Sequence, residues 1–280
     1  MVVGVALKWQ ARRALVDPIT GALRSEELHG PSEADLAALE HALRLAESWS
    51  GEVLAVCAGP VEAQSMLREA LAAGAARALR ISGAGADASP PHVARALAGA
   101  FTGADLVVCG VHGLDQGSGA VPALLAAELG AAQALGLVSV EPGSSPQDGL
   151  IATRRLSGGW RERLRVHAPA VLSVEGASAT LRRAPLTAMI AAGRATIESA
   201  PARVSVSDGA PEPARERLPD RPRPRIVDPP EPDLPAHERI LALTGVGGDG
   251  AGARVLVEDQ EPAEAARRVL DALRRWNALS

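Results

Sequence analysis

Residues 105–130 read DLVVCGVHGLDQGSGAVPALLAAELG, and this stretch decides the fold class. Leu106 to Cys109 form an unbroken apolar run, the pattern of a strand buried on both faces. A loop containing Gly110, Gly113, Gly117 and Gly119 follows, and Pro122 then stands in the first turn of an apolar helix. Proline is tolerated there because its missing N–H has no intrahelical partner to lose. The small residues Gly117, Gly119 and Ala120 let a ligand approach the backbone closely. Free N–H groups around Ser118 to Val121, at the positive end of the helix, make a cradle for an anion such as a phosphate. No Gly-Lys-Ser/Thr follows and the loop itself does not match GxGxxG, so neither the P-loop nor the dinucleotide fingerprint describes it.

Working outward, Val2–Leu7 and Val53–Ala58 are buried-strand runs, and Ala78–Ile81 is a shorter one. Between them Gly30-Pro31-Ser32-Glu33 opens a helix whose Leu36, Leu39, Leu43 and Ala46 share one face. Val61–Ala73 is a second amphipathic helix, ended by Gly74, and His92–Ala100 is a third. This alternation predicts an α/β fold: a Rossmann-like, mostly parallel sheet with helices on both faces. Ligands of such sheets bind beyond the carboxyl ends of the strands. Here those ends are the segments after Leu7, Ala58 and Gly110.

The rhythm changes after Leu135. Leu137–Val140, Leu150–Leu156, Arg161–Val166 and Val171–Val174 are short strand candidates, and Gly158-Gly159 predicts an antiparallel hairpin. Ala184–Ala192 is a short helix on which Leu186, Met189 and Ile190 form an apolar ridge at i, i+3 and i+4. That ridge faces either the core or a partner. From Pro201 to Pro235 the chain is rich in Pro, Arg, Asp and Glu, a composition that cannot bury a core and predicts an extended C-terminal arm. Ile240–Leu243 and Ala253–Val257 are expected strands, and Pro262–Trp276 is an expected helix. The expected organisation is a nucleotide-binding α/β domain over 1–200, a linker over 201–235, and a small strand/helix module over 236–280 that docks on the body or a partner.

Lys+Arg of 29 against Asp+Glu of 33 gives a net charge of −4, which argues against nucleic-acid binding driven by a basic field. Cys57 and Cys109 each end an apolar run and are expected as buried thiols in a reducing cytosol; no CxxC or His-rich spacing supports a metal site. The opening MVVGVALK places its charge after the apolar run, the reverse of an export signal. Gly119 to Val140 contains Pro122, Glu128 and Gln133 and reads as helix, turn and strand, so no membrane insertion is expected and the location is cytoplasmic. Asp115 can accept from a ribose hydroxyl or cap the loop. His112 has no acid–base partner nearby, and Ser118 lacks the surroundings of a nucleophile elbow. The chain therefore reads as a binder of phosphorylated ligands without a catalytic set of its own.

Taken in order, these segments resemble the electron transfer flavoprotein beta (small) subunit family. The carriers are Ala6-Leu7-Lys8 after the first strand, the entry Gly30-Pro31-Ser32-Glu33, VLAVCAGP, ALAAGAARALRI, ADLVVCG, LDQGSGAVPALLAAELG, the hairpin RRLSGGWRERLRVHAPAVLSV and finally RRAPLTAMIAA. The resemblance covers about residues 1–200. It implies a heterodimer with an alpha subunit that holds the redox-active FAD, electrons arriving from a flavin dehydrogenase donor, and AMP or a second FAD in this chain. Nucleotide contacts carried over are Ala6, Gly30, Pro31, Ser32, Glu33, Ala58, and Gly110, His112, Asp115, Gln116, Gly117, Ser118, Gly119, Ala120 and Val121. The partner contacts are Leu186, Met189 and Ile190. Two departures thin the side-chain donors: Gly30-Pro31 replaces the common Asn-Pro, and Ala120-Val121-Pro122 replaces the common Gln-Thr-Gly. A divergent branch tied to the redox peptide mycofactocin is one placement the resemblance leaves open. A different class, a stand-alone adenine-nucleotide-binding homodimer of the universal-stress type, would use the same strand–loop–helix but leaves the hairpin and the Leu186 ridge unexplained.

Overall fold

A computed structural model describes residues 1–11, 15–16, 23–24, 29–84, 88–202, 230–231, 233–244 and 261–275. The chain divides into two compact units, Met1–Arg221 and Pro222–Ser280.

In the first unit the chain begins with β1 (Val2–Ala6), followed by the two-residue strands β2 (Gln10–Ala11), β3 (Leu15–Val16), β4 (Leu23–Arg24) and β5 (His29–Gly30). Then come α1 (Glu33–Ser48), β6 (Glu52–Ala58), α2 (Gln64–Ala73), β7 (Arg77–Ser82), α3 (Pro90–Ala100), β8 (Leu106–Gly110) and α4 (Val121–Leu129). The remainder is β9 (Ala132–Pro142), β10 (Leu150–Arg155), β11 (Arg161–Val166), β12 (Ala170–Val174), α5 (Leu186–Arg194) and β13 (Glu198–Pro201). Nine strands form one sheet in the order β11-β10-β9-β12-β8-β1-β6-β7-β13. From β9 to β13 every neighbouring pair is parallel, while β10 runs antiparallel to both β9 and β11. The predicted α/β fold with a mostly parallel sheet is the observed one, and the predicted hairpin extends that same sheet.

Each face is covered by its own helices, so there are two cores. One packs Ala37, Ala38, Ala42 and Leu45 of α1 and Met66, Leu67 and Ala70 of α2 onto Val3, Val5, Ala55 and Leu172. The other packs Ala94 and Leu97 of α3 and Leu125 of α4 onto Val56, Val107 and Val171. Alanine at the contacts lets α1 lie close: a Cβ added at Gly110 would meet the Ala34 Cβ at 3.1 Å. The start of α1 is set by a reciprocal cap, in which Ser32 Oγ accepts from Asp35 N at 3.1 Å while the Asp35 carboxylate accepts from Ser32 N at 2.8 Å.

Besides the two-residue strands β2 to β5, which no apolar run announces, the structure departs from the expected elements in three places. β9 begins at Ala132 rather than Leu137; its Ala132-Gln133-Ala134 start has little β-propensity. Its register against β12 shifts near Gly136, whose φ is +69° and whose N–H donates to Ser173 Oγ at 3.0 Å. β13 was not anticipated, since Glu198–Pro201 is a short, polar, proline-ended edge strand. In the second unit, Ile240–Leu243 is not a strand but part of α6 (Ala236–Thr244), and the unit's other described helix is α7 (Pro262–Arg275). A short apolar run cannot be told from a helical segment by periodicity. Here the good helix formers Glu238, Arg239, Leu241 and Leu243 decide it. The expected strand Ala253–Val257 lies outside the described residues, as does Trp276.

Candidate nucleotide-binding site

The sheet order reverses at β1, which has β6 on one side and β8 on the other. Connections through α1 and α2 lie on one face and those through α3 and α4 on the other, so the helices splay apart beyond the carboxyl ends of β1 and β8. Such a switch point opens a crevice, and a cleft with an empty space of ≈ 830 Å³, counted out to open solvent, lies there.

Ala6, Ala58, Gly110, His112, Gln116, Gly117, Ser118, Gly119 and Val121 line this cleft together. Gly117 and Gly119 adopt φ of +63° and +60°, a region that only glycine enters freely. Ala120 is the N-cap of α4. Asp115 is held beside the cleft by an ion pair with Lys8 Nζ at 2.6 Å. The entry segment of α1 stands behind the lining: Gly30 pairs with Gln10, Pro31 and Ser32 are buried, and Glu33 is exposed. Of that neighbourhood it is Asp35 that reaches the cleft.

Residues not named from the sequence as nucleotide contacts complete the walls. Lys8, Trp9 and Asp35 contribute polar groups and an indole, while Pro90, Val93 and Leu97 make an apolar side from α3. Trp9 stacks on His29 with ring centroids 6.1 Å apart. Behind the lining, buried Gln10 ties three segments together. Its Nε2 donates to the Asp35 carboxylate at 3.1 Å and its Oε1 accepts from Leu114 N at 2.6 Å. The only sequence-level sign of this arrangement was a polar residue just after a buried strand.

Burial sets the protonation of the cleft's titratable groups. Burial pushes the Cys109 thiol up to about 12, so it stays protonated and is a poor nucleophile. Burial also pushes the Asp35 carboxyl up to about 6, against the lowering pull of the Ser32 and Lys8 hydrogen bonds and the Lys8 charge. Lys8 is committed to Asp115. No nucleophile–base pair converges among the described cleft residues. A cleft with an apolar wall at one side and glycine-loop amides with a helix N-terminus at the other fits a nucleotide.

The apolar ridge lies elsewhere. Leu186, Met189 and Ile190 are 71%, 55% and 50% exposed on α5, whose Ala192 is buried. The chain entering α5 is clamped to α1 by Arg182, which donates from Nε to Glu40 Oε2 at 3.0 Å and also pairs with Glu47. Burial alone would raise the Glu40 carboxyl, but hydrogen bonds from Arg182 and Arg44 hold it below its ordinary value.

Comparison with known proteins agrees with this geometry. The model of the electron transfer flavoprotein domain matches residues 23–207. The electron transfer flavoprotein subunit beta of Thermoanaerobacterium thermosaccharolyticum is 34% identical over 166 residues, 56% of this chain and 61% of that protein. The subunit beta of Chromohalobacter salexigens is 35% identical over 164 residues, 57% and 56% respectively. Protein FixA of Bradyrhizobium diazoefficiens is 30% identical over 171 residues, 58% and 59%. The chain thus spans less than two thirds of the length of each of these relatives. With two thirds of its own length inside the family domain and beta subunits among its relatives, the chain belongs to the electron transfer flavoprotein family, in its beta-subunit line.

Proposed function

We propose that this chain is the beta subunit of a heterodimeric electron transfer flavoprotein, relaying electrons from flavin-dependent dehydrogenases to a downstream acceptor. The observation that most supports the reading is the open cleft at the β1/β8 switch point, walled by the glycine loop and the start of α4 inside the family domain. On this reading the redox-active FAD is held mainly by the alpha subunit. AMP occupies the cleft of this chain, its phosphate on the amides of Ser118, Gly119 and Val121 and its base against the Pro90, Val93 and Leu97 side. The chain makes and breaks no covalent bonds itself, as the protonated Cys109 and the committed Lys8 suggest. A cytoplasmic location accompanies this role.

The test is to co-express the chain with its alpha subunit, purify the yellow heterodimer and identify the small molecules released on denaturation. Gly119→Leu should cut released AMP at least tenfold while leaving FAD in place. A Cβ at Gly119 would sit 3.1 Å from Val111 O, at a φ that side chains avoid. Unchanged AMP per chain would put the nucleotide elsewhere. Leu186→Ala should slow electron transfer from the dehydrogenase about tenfold without loss of FAD, because Leu186 is the most exposed member of an apolar ridge that a partner would bury. Unaltered transfer kinetics would reduce the ridge to a surface accident.

A further inference from the structure

Lys8, Trp9 and Gln10 follow β1, and their side chains go to different places. Trp9 stacks on His29. Lys8 and Gln10 instead reach the glycine loop, 107 and 104 residues further along the chain. Lys8 Nζ pairs with Asp115 Oδ1 at 2.6 Å, and Gln10 Oε1 accepts from Leu114 N at 2.6 Å. Both ties meet at Gly113, where an added Cβ would stand 2.8 Å from Asp115 Oδ1 and Lys8 Nζ and 3.0 Å from Gln10 Oε1.

The two ties differ in strength. The Lys8 and Asp115 side chains keep 35% and 24% of their surface open, and an ion pair in contact with solvent is screened and contributes little. Gln10 is 1% exposed, and a buried donor stripped of its acceptor costs more than the bond itself returns. The place of Gln10 is set independently of the loop. Its backbone pairs with Gly30 in the β2–β5 ladder, just before the Ser32 cap of α1. The direction of its amide is set too. The Leu114 N–H can only donate, so it faces the amide oxygen, and the amide nitrogen then donates to Asp35 Oδ2 at 3.1 Å. That oxygen also accepts from Ser32 N at 2.8 Å and from Ser32 Oγ at 2.6 Å. All three partners are donors, so Asp35 holds the amide one way round.

We propose that Gln10 is a positioning residue for the nucleotide cleft: its amide, oriented by Asp35, pins the glycine loop at Leu114 and so sets in advance where the amides of Ser118, Gly119 and Val121 point. The proposal rests on the functional reading above for the identity of the ligand, and adds the side chain that fixes the ligand's seat. Gln10 stands behind the lining of the cleft rather than in it. The pin is carried forward because the loop closes on itself, with Gly117 N donating to Gly113 O at 3.1 Å. A loop held this way needs little ordering when the phosphate arrives, which is how preorganised sites gain affinity.

The experiment compares the full chain with its Gln10→Leu and Gln10→Glu variants, using AMP as the probe. Gln10→Leu removes both halves of the amide. Deuterium exchange across residues 111–120 should quicken about tenfold while β1 and β8 keep their protection, and AMP should bind about tenfold more weakly. Gln10→Glu keeps the size but, at about pH 8, sets a second carboxylate against Asp35. The other charged groups facing this point are Lys8, after β1, and Asp115, in the loop. The Cys57 and Cys109 thiols, pushed up to about 12 by burial, stay neutral. Acidification to about pH 5 returns a proton to the carboxyl pair, which can then bridge to Asp35 and still accept from Leu114 N. The AMP affinity of this variant relative to the wild type at the same pH should rise from about one tenth at the higher pH to about one half at the lower. Taking the ratio cancels the titration of the phosphate itself. Loop exchange that Gln10→Leu leaves unchanged, or raises equally in β1 and β8, overturns the proposal. So does a Gln10→Glu ratio that stays level with pH. A wild-type chain that binds no AMP overturns the functional reading instead, and loop exchange then still decides whether Gln10 is the tether.

Discussion

Gly4→Val should destabilise the first unit by about 3 kcal/mol, the cost of overpacking a rigid interior. Gly4 lies in the middle of β1, and a Cβ there would stand 2.6 Å from both Cδ1 and Cε1 of Phe101 and 3.3 Å from Val107 Cγ2. Phe101 is the chain's single phenylalanine, 1% exposed, packed over the central strand from the end of α3. Its ring cannot retreat without disturbing the second core. Because the clash is with one ring, Gly4→Val/Phe101→Leu should be more stable than the two single losses predict when added. Urea denaturation of the four proteins decides it: strict additivity would mean that the ring is not what excludes the side chain.

The second expectation concerns acid. Two buried groups on α1 titrate in opposite senses over nearly the same range. Burial pushes Asp35 up to about 6 from an ordinary 3.8. The folded state therefore holds this proton more tightly than the unfolded chain, and the contribution to stability is lost as pH rises from about 4 to about 6. His41 is held down to about 4 from 6.5, by burial first and then by the Arg44 charge, while its Nε2 lies 3.1 Å from Ser178 Oγ. Its contribution is present above 6.5 and lost as pH falls through 4. Each amounts to about 3 kcal/mol, so in the native chain they largely offset one another. Asp35→Asn should leave the histidine unopposed, its stability relative to the wild type falling by about 3 kcal/mol from pH 7 to pH 4. His41→Gln should rise by a similar amount. Profiles that run parallel to the wild type would show that neither group is perturbed by its surroundings.

How far the sequence carried the architecture can be judged from particular elements. The 105–130 segment was legible because each local signal agreed: a continuous apolar strand, a glycine loop, then proline in a helical first turn. The hairpin was legible from Gly158 and Gly159, which adopt φ of +70° and +81°. β13 was not, because an edge strand buries little and needs no apolar pattern, and Ile240 to Leu243 lost to helix propensity. The glycine-loop side of the cleft was readable as a run of neighbours in sequence. Its other walls were not, since Asp35, Pro90 and Val93 carry no motif and meet only when three crossovers converge. The choice between a core-facing and a solvent-facing ridge at Leu186 was likewise open until α5 was placed against α2.

The position of β13 has a bearing on biosynthesis. Ser82 Oγ donates to Ala200 O across 118 residues of sequence, and among the described residues β7 has no other neighbour on that side. During translation β7 emerges early, yet the strand that covers it is among the last parts of the sheet to leave the ribosome. For that interval the nascent chain presents a bare hydrogen-bonding margin, with exposed Arg77 at its start as a charged deterrent to pairing with a stranger. A chain cut short before Glu198 would keep that margin exposed for good, and its fate would be association with other chains rather than loss of the cores.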